Sequence, residues 1–63
     1  MQEHKRYSVV VHFYTGSERS VLCTDSLPSA LAEYRAYLGG DAIRVYVSDG
    51  KTGQILADSR QRN

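Results

Sequence analysis

Apolar and polar residues alternate along two stretches of the chain and recur at helical spacing along a third. From Tyr7 to Tyr14 the alternation puts Tyr7, Val9, Val11 and Phe13 on one side of an extended strand, with Ser8, Val10, His12 and Tyr14 on the other. β-Branched and aromatic residues dominate this stretch, as a pleated surface favours. Thr15-Gly16-Ser17-Glu18 supplies a turn in which Gly16 is free to take a positive φ. Arg19 to Thr24 returns as a second strand whose register the pattern leaves open. A two-residue turn sets Leu22 on the Val9/Val11/Phe13 side, whereas a three-residue loop sets Val21 and Cys23 there. A slip of one residue inverts the whole strand.

The period then changes. Leu27, Leu31, Tyr34 and Leu38 fall at i, i+4, i+7 and i+11 with Ala30 beside them, which predicts a helix of about twelve residues. Asp25 or Ser26 caps its start, and Pro28 fits the first turn, where its missing N–H costs nothing. Glu33, Arg35 and Ala36 face away. Gly39-Gly40 stops the helix, with one of the pair expected in the left-handed cap position. Alternation resumes from Ala42 to Ser48, with Ile43, Val45 and Val47 on one side and Arg44, Tyr46 and Ser48 on the other. Asp49-Gly50-Lys51-Thr52-Gly53 reads as a turn: Asp49 accepts bonds from the amides after it, and Gly53 takes a left-handed bulge position. Gln54 to Ala57 returns, with Ile55 or Leu56 toward the core.

The order β-β-α-β-β predicts an α+β domain over residues 7–57. Its four-stranded antiparallel sheet has spatial order 2-1-3-4, because the first and third strands are the most apolar. One helix covers one face. The expected core is Val9, Val11, Phe13, Leu27, Leu31, Tyr34, Leu38, Ile43, Val45, Val47 and Ile55. Residues 1–6 and 58–63 are polar without periodicity and are expected to be flexible tails.

Composition narrows the function classes. Sixty-three residues make one domain with a small core, since a fold of this size buries only roughly 60% of its unfolded surface. Eight basic against seven acidic residues give a net charge of +1. That balance excludes a DNA-coating protein, a polybasic membrane binder and an acidic nucleic-acid mimic. The single cysteine, Cys23, excludes an internal disulfide. No apolar run approaches the ~20 residues that span a bilayer, so a soluble, cytoplasmic protein is expected.

Candidate chemistry is sparse. In one register Cys23 shares a face with His12, but a nucleophile and base also need an orienting group and an oxyanion donor, and none is apparent. Cys23 is expected instead as a small buried thiol packing as a hydrophobe. His4, His12 and Cys23 match no metal-ligand spacing. The five glycines form no phosphate-cradling motif, and Asp41 and Asp49 read as cap and turn residues. A two-layer domain this small rarely encloses a cleft of ~300 Å³. The expectation is a non-enzymatic protein with no cofactor, no metal and no small-molecule substrate.

The helix-free sheet face is the main lead. With the first and third strands adjacent, Val10, His12 and Tyr14 lie beside Arg44 and Tyr46, with Leu56 nearby. Rigid aromatics, an arginine and aliphatics compose protein-binding surfaces, so Tyr14 and Tyr46 are expected as anchors, Val10 and Leu56 as apolar fill, and Arg44 and His12 as polar contacts. The plain alternative is a solvated face whose tyrosines serve only strand propensity. The leading expectation is an interaction module, a homodimer or a binder of another protein, using this face or an edge strand. The rival from another class is weak single-stranded nucleic-acid binding, bases stacking on Tyr14 and Tyr46. The cationic rim for it is thin: Arg44, Arg19 and the tail residues Lys5, Arg6, Arg60 and Arg62.

The hairpin-helix-hairpin order, the length, the S-x-P-x-A-L helix start and the run R-V-Y-V-S-D-G-K-T-G look like many short bacterial and phage proteins. In size and element order the chain is similar to some type I anti-CRISPR inhibitors. That resemblance is one of architecture and carries no site residues. It implies a phage- or plasmid-encoded inhibitor that acts by occluding a surface of its target.

Overall fold

The computed structural model describes residues 5–40 and 42–60. Expectations placed on His4, Asp41, Arg62 and the outermost tail residues lie outside that range. The elements are β1 (Tyr7–Phe13), β2 (Glu18–Thr24), α1 (Leu27–Tyr37), β3 (Ala42–Asp49) and β4 (Ile55–Asp58). All strand pairs are antiparallel and the sheet order is β2-β1-β3-β4. The fold is α+β, with α1 laid across β1, β3 and β2 on one face.

The core is small and built from slender residues. Val9 faces Val47 and Val11 faces Val45 across the central pair of strands. These four valines and Ala30 are fully buried. Ala30 is the one fully buried residue of α1, and its small side chain is what allows a helix to lie close against a sheet. Tyr7, Phe13, Val21, Leu22, Leu31, Tyr34, Tyr37, Ala42 and Ala57 pack around this centre. The helix stripe is therefore Ala30, Leu31, Tyr34 and Tyr37. It is rotated from the expected one, which leaves Leu38 half-exposed beyond the helix end and Leu27 only partly covered.

The helix starts as its sequence dictates. Ser26 is extended (φ −102°, ψ 112°) and its hydroxyl accepts from the Ser29 N–H, with Pro28 in the first turn. Its end departs from expectation. Neither Gly39 nor Gly40 has a positive φ; among the described residues only Gly16 and Gly53 do. The chain leaves through tightened i→i+3 turns, Leu38 N–H to Arg35 C=O and Gly40 N–H to Tyr37 C=O. No left-handed cap is required.

Three one-residue bulges decide which side chains reach the core. On β2 the register passes from Val9↔Leu22 to Val10↔Ser20, leaving Val21 extra. On β3 it passes from His12↔Arg44 to Phe13↔Ala42, leaving Ile43 extra. On β4 it passes from Val47↔Ala57 to Ser48↔Ile55, leaving Leu56 extra. A bulge breaks the alternation of faces at that point. Ala42 accordingly takes the core position beside Phe13, and Ile43, expected inside, is 50% exposed. Ala57 packs against the core, whereas Ile55, also expected inside, is 46% exposed. The open register of the first hairpin resolves the same way: Leu22 and Val21 both pack against the core, and Cys23 turns outward.

Several residues assigned to the tails are held in the fold. The Arg6 N–H donates to Asp25 and its carbonyl accepts from Gly50 N–H. Asp58 ends β4 and is buried, and Ser59 bonds Val45 through both its N–H and its hydroxyl.

Candidate functional site

The helix-free face carries three cross-strand rows. The first is Glu18, His12 and Arg44; the second Ser20, Val10, Tyr46 and Asp58; the third Cys23, Ser8, Ser48 and Ile55. The first two rows are tied together. His12 Nε2 lies 2.6 Å from Glu18 Oε2, and the Tyr46 hydroxyl donates to the same carboxylate oxygen at 3.4 Å. The Arg44 guanidinium lies over the Tyr46 ring, 4.6 Å from its centroid. It also donates to Asp58 through Nε at 3.2 Å and Nη2 at 2.6 Å. The His12 and Tyr46 rings are tilted neighbours with centroids 6.5 Å apart. Partial burial, seconded by the Glu18 charge, pushes the Tyr46 hydroxyl up, so it stays a donor well above neutral pH.

Of the six residues expected on this face, Val10, His12, Arg44 and Tyr46 meet there. Tyr14 does not. β1 ends at Phe13 and Tyr14 falls in the β1–β2 turn, 72% exposed, because Phe13 already bonds Ser17 and Gly16 across the turn. Leu56 is the extra residue at the β4 edge, exposed there but outside the row pattern. Sequence reasoning missed Glu18, assigned to a turn, Asp58, assigned to a tail, and Ile55, assigned to the core. A signal for Asp58 was present: Asp49-Gly50-Lys51 and Asp58-Ser59-Arg60 repeat the pattern of aspartate, small residue and cation.

That repeat folds twice into the same clasp. Asp49 accepts from Arg6 Nε and Nη2 and from the Lys51 N–H two residues on. Asp58 accepts from Arg44 Nε and Nη2 and from the Arg60 N–H two residues on. Both carboxylates are buried while their arginines remain partly exposed. The arginine bonds hold both carboxyls below the usual carboxylate range, outweighing the opposing effect of burial. One clasp fastens the chain ahead of β1 to the β3–β4 turn, and the other braces β3 against the end of β4.

Cys23 is exposed, contrary to the expectation of a buried thiol. Ser20 Oγ and Ser8 Oγ lie 3.4 and 3.6 Å from its sulfur, and together they lower its pKa. It forms no pair with His12. Cys23 is opposite Ser8 and His12 opposite Glu18, four residues further along β1, on the order of 13 Å away. No three His, Cys, Asp or Glu side chains gather into a metal-binding group among the described residues. No helix there is long and apolar enough to cross a membrane.

A concavity lies where the chain ahead of β1 meets the β3–β4 turn. It measures about 640 Å³, opens to solvent, and is lined among the described residues by Lys5, Arg6, Gly50 and Lys51. Comparison with family models, curated proteins and solved structures finds no match to this chain.

Proposed function

We propose that this chain is a non-enzymatic protein-interaction module that self-associates through its helix-free sheet face. The observation that supports this is the tied group of Asp58, Arg44, Tyr46, Glu18 and His12 on the sheet face that α1 leaves uncovered. Tyrosine and arginine dominate the energetics of protein contacts, and side chains already fixed lose little freedom on binding. A second copy suits this row. Carboxylates flank a central arginine, so a twofold-related copy displaced by a strand sets Arg44 against an acid. Four strands at ~4.8 Å spacing and about five residues at ~3.3 Å give the face roughly 300 Å² in projection, so the contact is small beside the ~800 Å² each partner contributes to a standard interface. Val10 and Ile55 supply apolar contact within the rows.

The edge strands are less suited. β2 and β4 each carry a bulge, which interrupts the run of amides and carbonyls that an added strand would need. Nucleic-acid stacking also has little to recommend it. Two carboxylates, Glu18 and Asp58, share the face and repel phosphates, and Tyr14 sits in a turn. Surface occlusion of another protein would use the same face with a different occupant.

Light scattering on the column eluate across a hundredfold range of protein concentration tests the reading. A mass rising toward twice the monomer is expected, with Tyr46→Ala weakening association at least tenfold. A monomer at every concentration rejects self-association. A dimer that Tyr46→Ala leaves unchanged rejects this face as the contact.

A further inference from the structure

The two carboxylates of the sheet face are neutralised in different ways. Asp58 is held by a permanent cation, the Arg44 guanidinium, through Nε at 3.2 Å and Nη2 at 2.6 Å. Among the described residues Glu18 has no such partner. Its side chain meets His12 Nε2 at 2.6 Å and the Tyr46 hydroxyl at 3.4 Å. The hydroxyl is a neutral donor, so charge compensation of Glu18 falls to His12. Histidine is the side chain whose charge ordinarily changes between roughly pH 5 and 8. We propose that the His12–Glu18 pair is a pH switch that tightens self-association through this face as the medium turns mildly acidic. The switch rests on the reading of that face as the contact between two copies.

The groups packed around His12 leave it as the one that changes state. From β2 comes Glu18; Arg19 beside it pairs with the fully buried Val11 and so points to the opposite face. From β3 come Arg44, directly across from His12, and Tyr46, whose ring centroid is 6.5 Å from that of the imidazole. Arg44 is committed to Asp58, and of its charged neighbours it feels Glu18 least. From β4 comes Asp58, whose carboxyl Arg44 holds below the usual range, while burial pushes the Tyr46 hydroxyl up. Both therefore keep one state across the histidine range. Cys23, opposite Ser8 and four residues of β1 from His12, is the other titratable group of the face, and the Ser20 and Ser8 hydroxyls lower its pKa.

The His12 and Glu18 side chains are 34% and 47% exposed, so water solvates the pair in a single copy. A second copy laid on the face removes that water. With His12 neutral, contact leaves a carboxylate among neutral donors, which is costly; with His12 protonated, it covers a short, charge-assisted pair. The dimer thus binds up to one more proton per copy than the separate monomers. By linkage its affinity rises as pH falls through the histidine range. Acidification also raises the charge of the whole chain, but physiological salt screens that repulsion beyond ~8 Å.

The test is the dimer dissociation constant of the full chain, from light scattering at pH 7.5 and 5.5 in physiological salt with a reductant present. Kd should fall on the order of tenfold toward pH 5.5, as the attraction within the pair grows when water leaves. His12→Gln keeps a neutral donor and should hold the weak value at both pH values. His12→Lys fixes a cation and should hold the tight value at both. His4→Gln and Cys23→Ser should keep the full response. Far-UV circular dichroism checks that each variant folds, and if one variant at position 12 does not, the other decides. A dimer with the same Kd at both pH values overturns the switch and leaves the contact standing. A response that persists in His12→Gln, or that vanishes in His4→Gln or Cys23→Ser, overturns the switch as well. A monomer under every condition rejects the contact itself, and the switch with it.

Discussion

Val45 and Ile43 stand two residues apart in β3 and alternation gives them the same face, yet the bulge at Ile43 buries one and exposes the other. Truncating each to alanine therefore separates the two accounts. Val45→Ala removes two carbons from a fully buried site, a transfer loss of ~1.6 kcal/mol at ~0.8 per carbon. A void of roughly 50 Å³ that fails to close adds about 1.2 kcal/mol at ~24 cal/mol per Å³. The total is about 2–3 kcal/mol, against a global stability on the order of 3–9 kcal/mol for a chain of this length. Ile43→Ala removes three carbons, but the residue is 50% exposed, so about half of the ~2.4 kcal/mol applies and no void forms. Its cost is about 1 kcal/mol. Urea unfolding followed by circular dichroism should show a much lower midpoint for Val45→Ala with an unchanged slope. Thermal midpoints should fall by roughly 10–20 °C and 4–8 °C respectively. Equal losses for the two variants would refute the bulge as the determinant of burial.

Two further expectations follow from the clasps and the turns. The folded-state pKa values of Asp49 and Asp58 lie below the ordinary 3.8. Their contribution is thus fully present above that value and is lost as pH falls through the lower folded values. Stability measured by urea midpoint should hold from pH 7 to about 5 and drop steeply below about 4; Asp49→Asn and Asp58→Asn should each start lower and fall less. At the glycines, Gly53 has φ +78° and Gly39 has neither a positive φ nor a close neighbour. Gly53→Ala should cost about 1 kcal/mol, while Gly39→Ala should be neutral or stabilising by about 0.5 kcal/mol, read from the same unfolding curves.

The type and order of every element were legible in the chain, because period 2 and period 3.6 are local signals. Strand order followed from the valine content of β1 and β3. What alternation cannot reveal is a residue inserted out of step, since Val21, Ile43 and Leu56 look like ordinary members of their strands. Each bulge is settled by pairing with a strand distant in sequence, and each moves its neighbours to the opposite face. Four of the six face residues were legible for that reason: Val10 and His12 lie on β1, which carries no extra residue, and Arg44 and Tyr46 lie between the bulge and the turn on β3. Glu18 and Asp58 were hidden because a charged residue at a strand end looks like a loop. Their pairing with His12 and Arg44 becomes visible only once the sheet is assembled. The helix end misled in a different way: a Gly-Gly pair permits a left-handed turn without requiring one.

The central pairing of β1 with β3 sets the order of assembly. The two strands that hold all four fully buried valines are separated by β2 and the helix, and the Arg6–Asp49 clasp spans a separation of 43 residues. Neither hairpin alone encloses a dry interior. Closing that long loop must precede most of the stabilising contacts, which makes the transition slow for so short a chain and close to all-or-none.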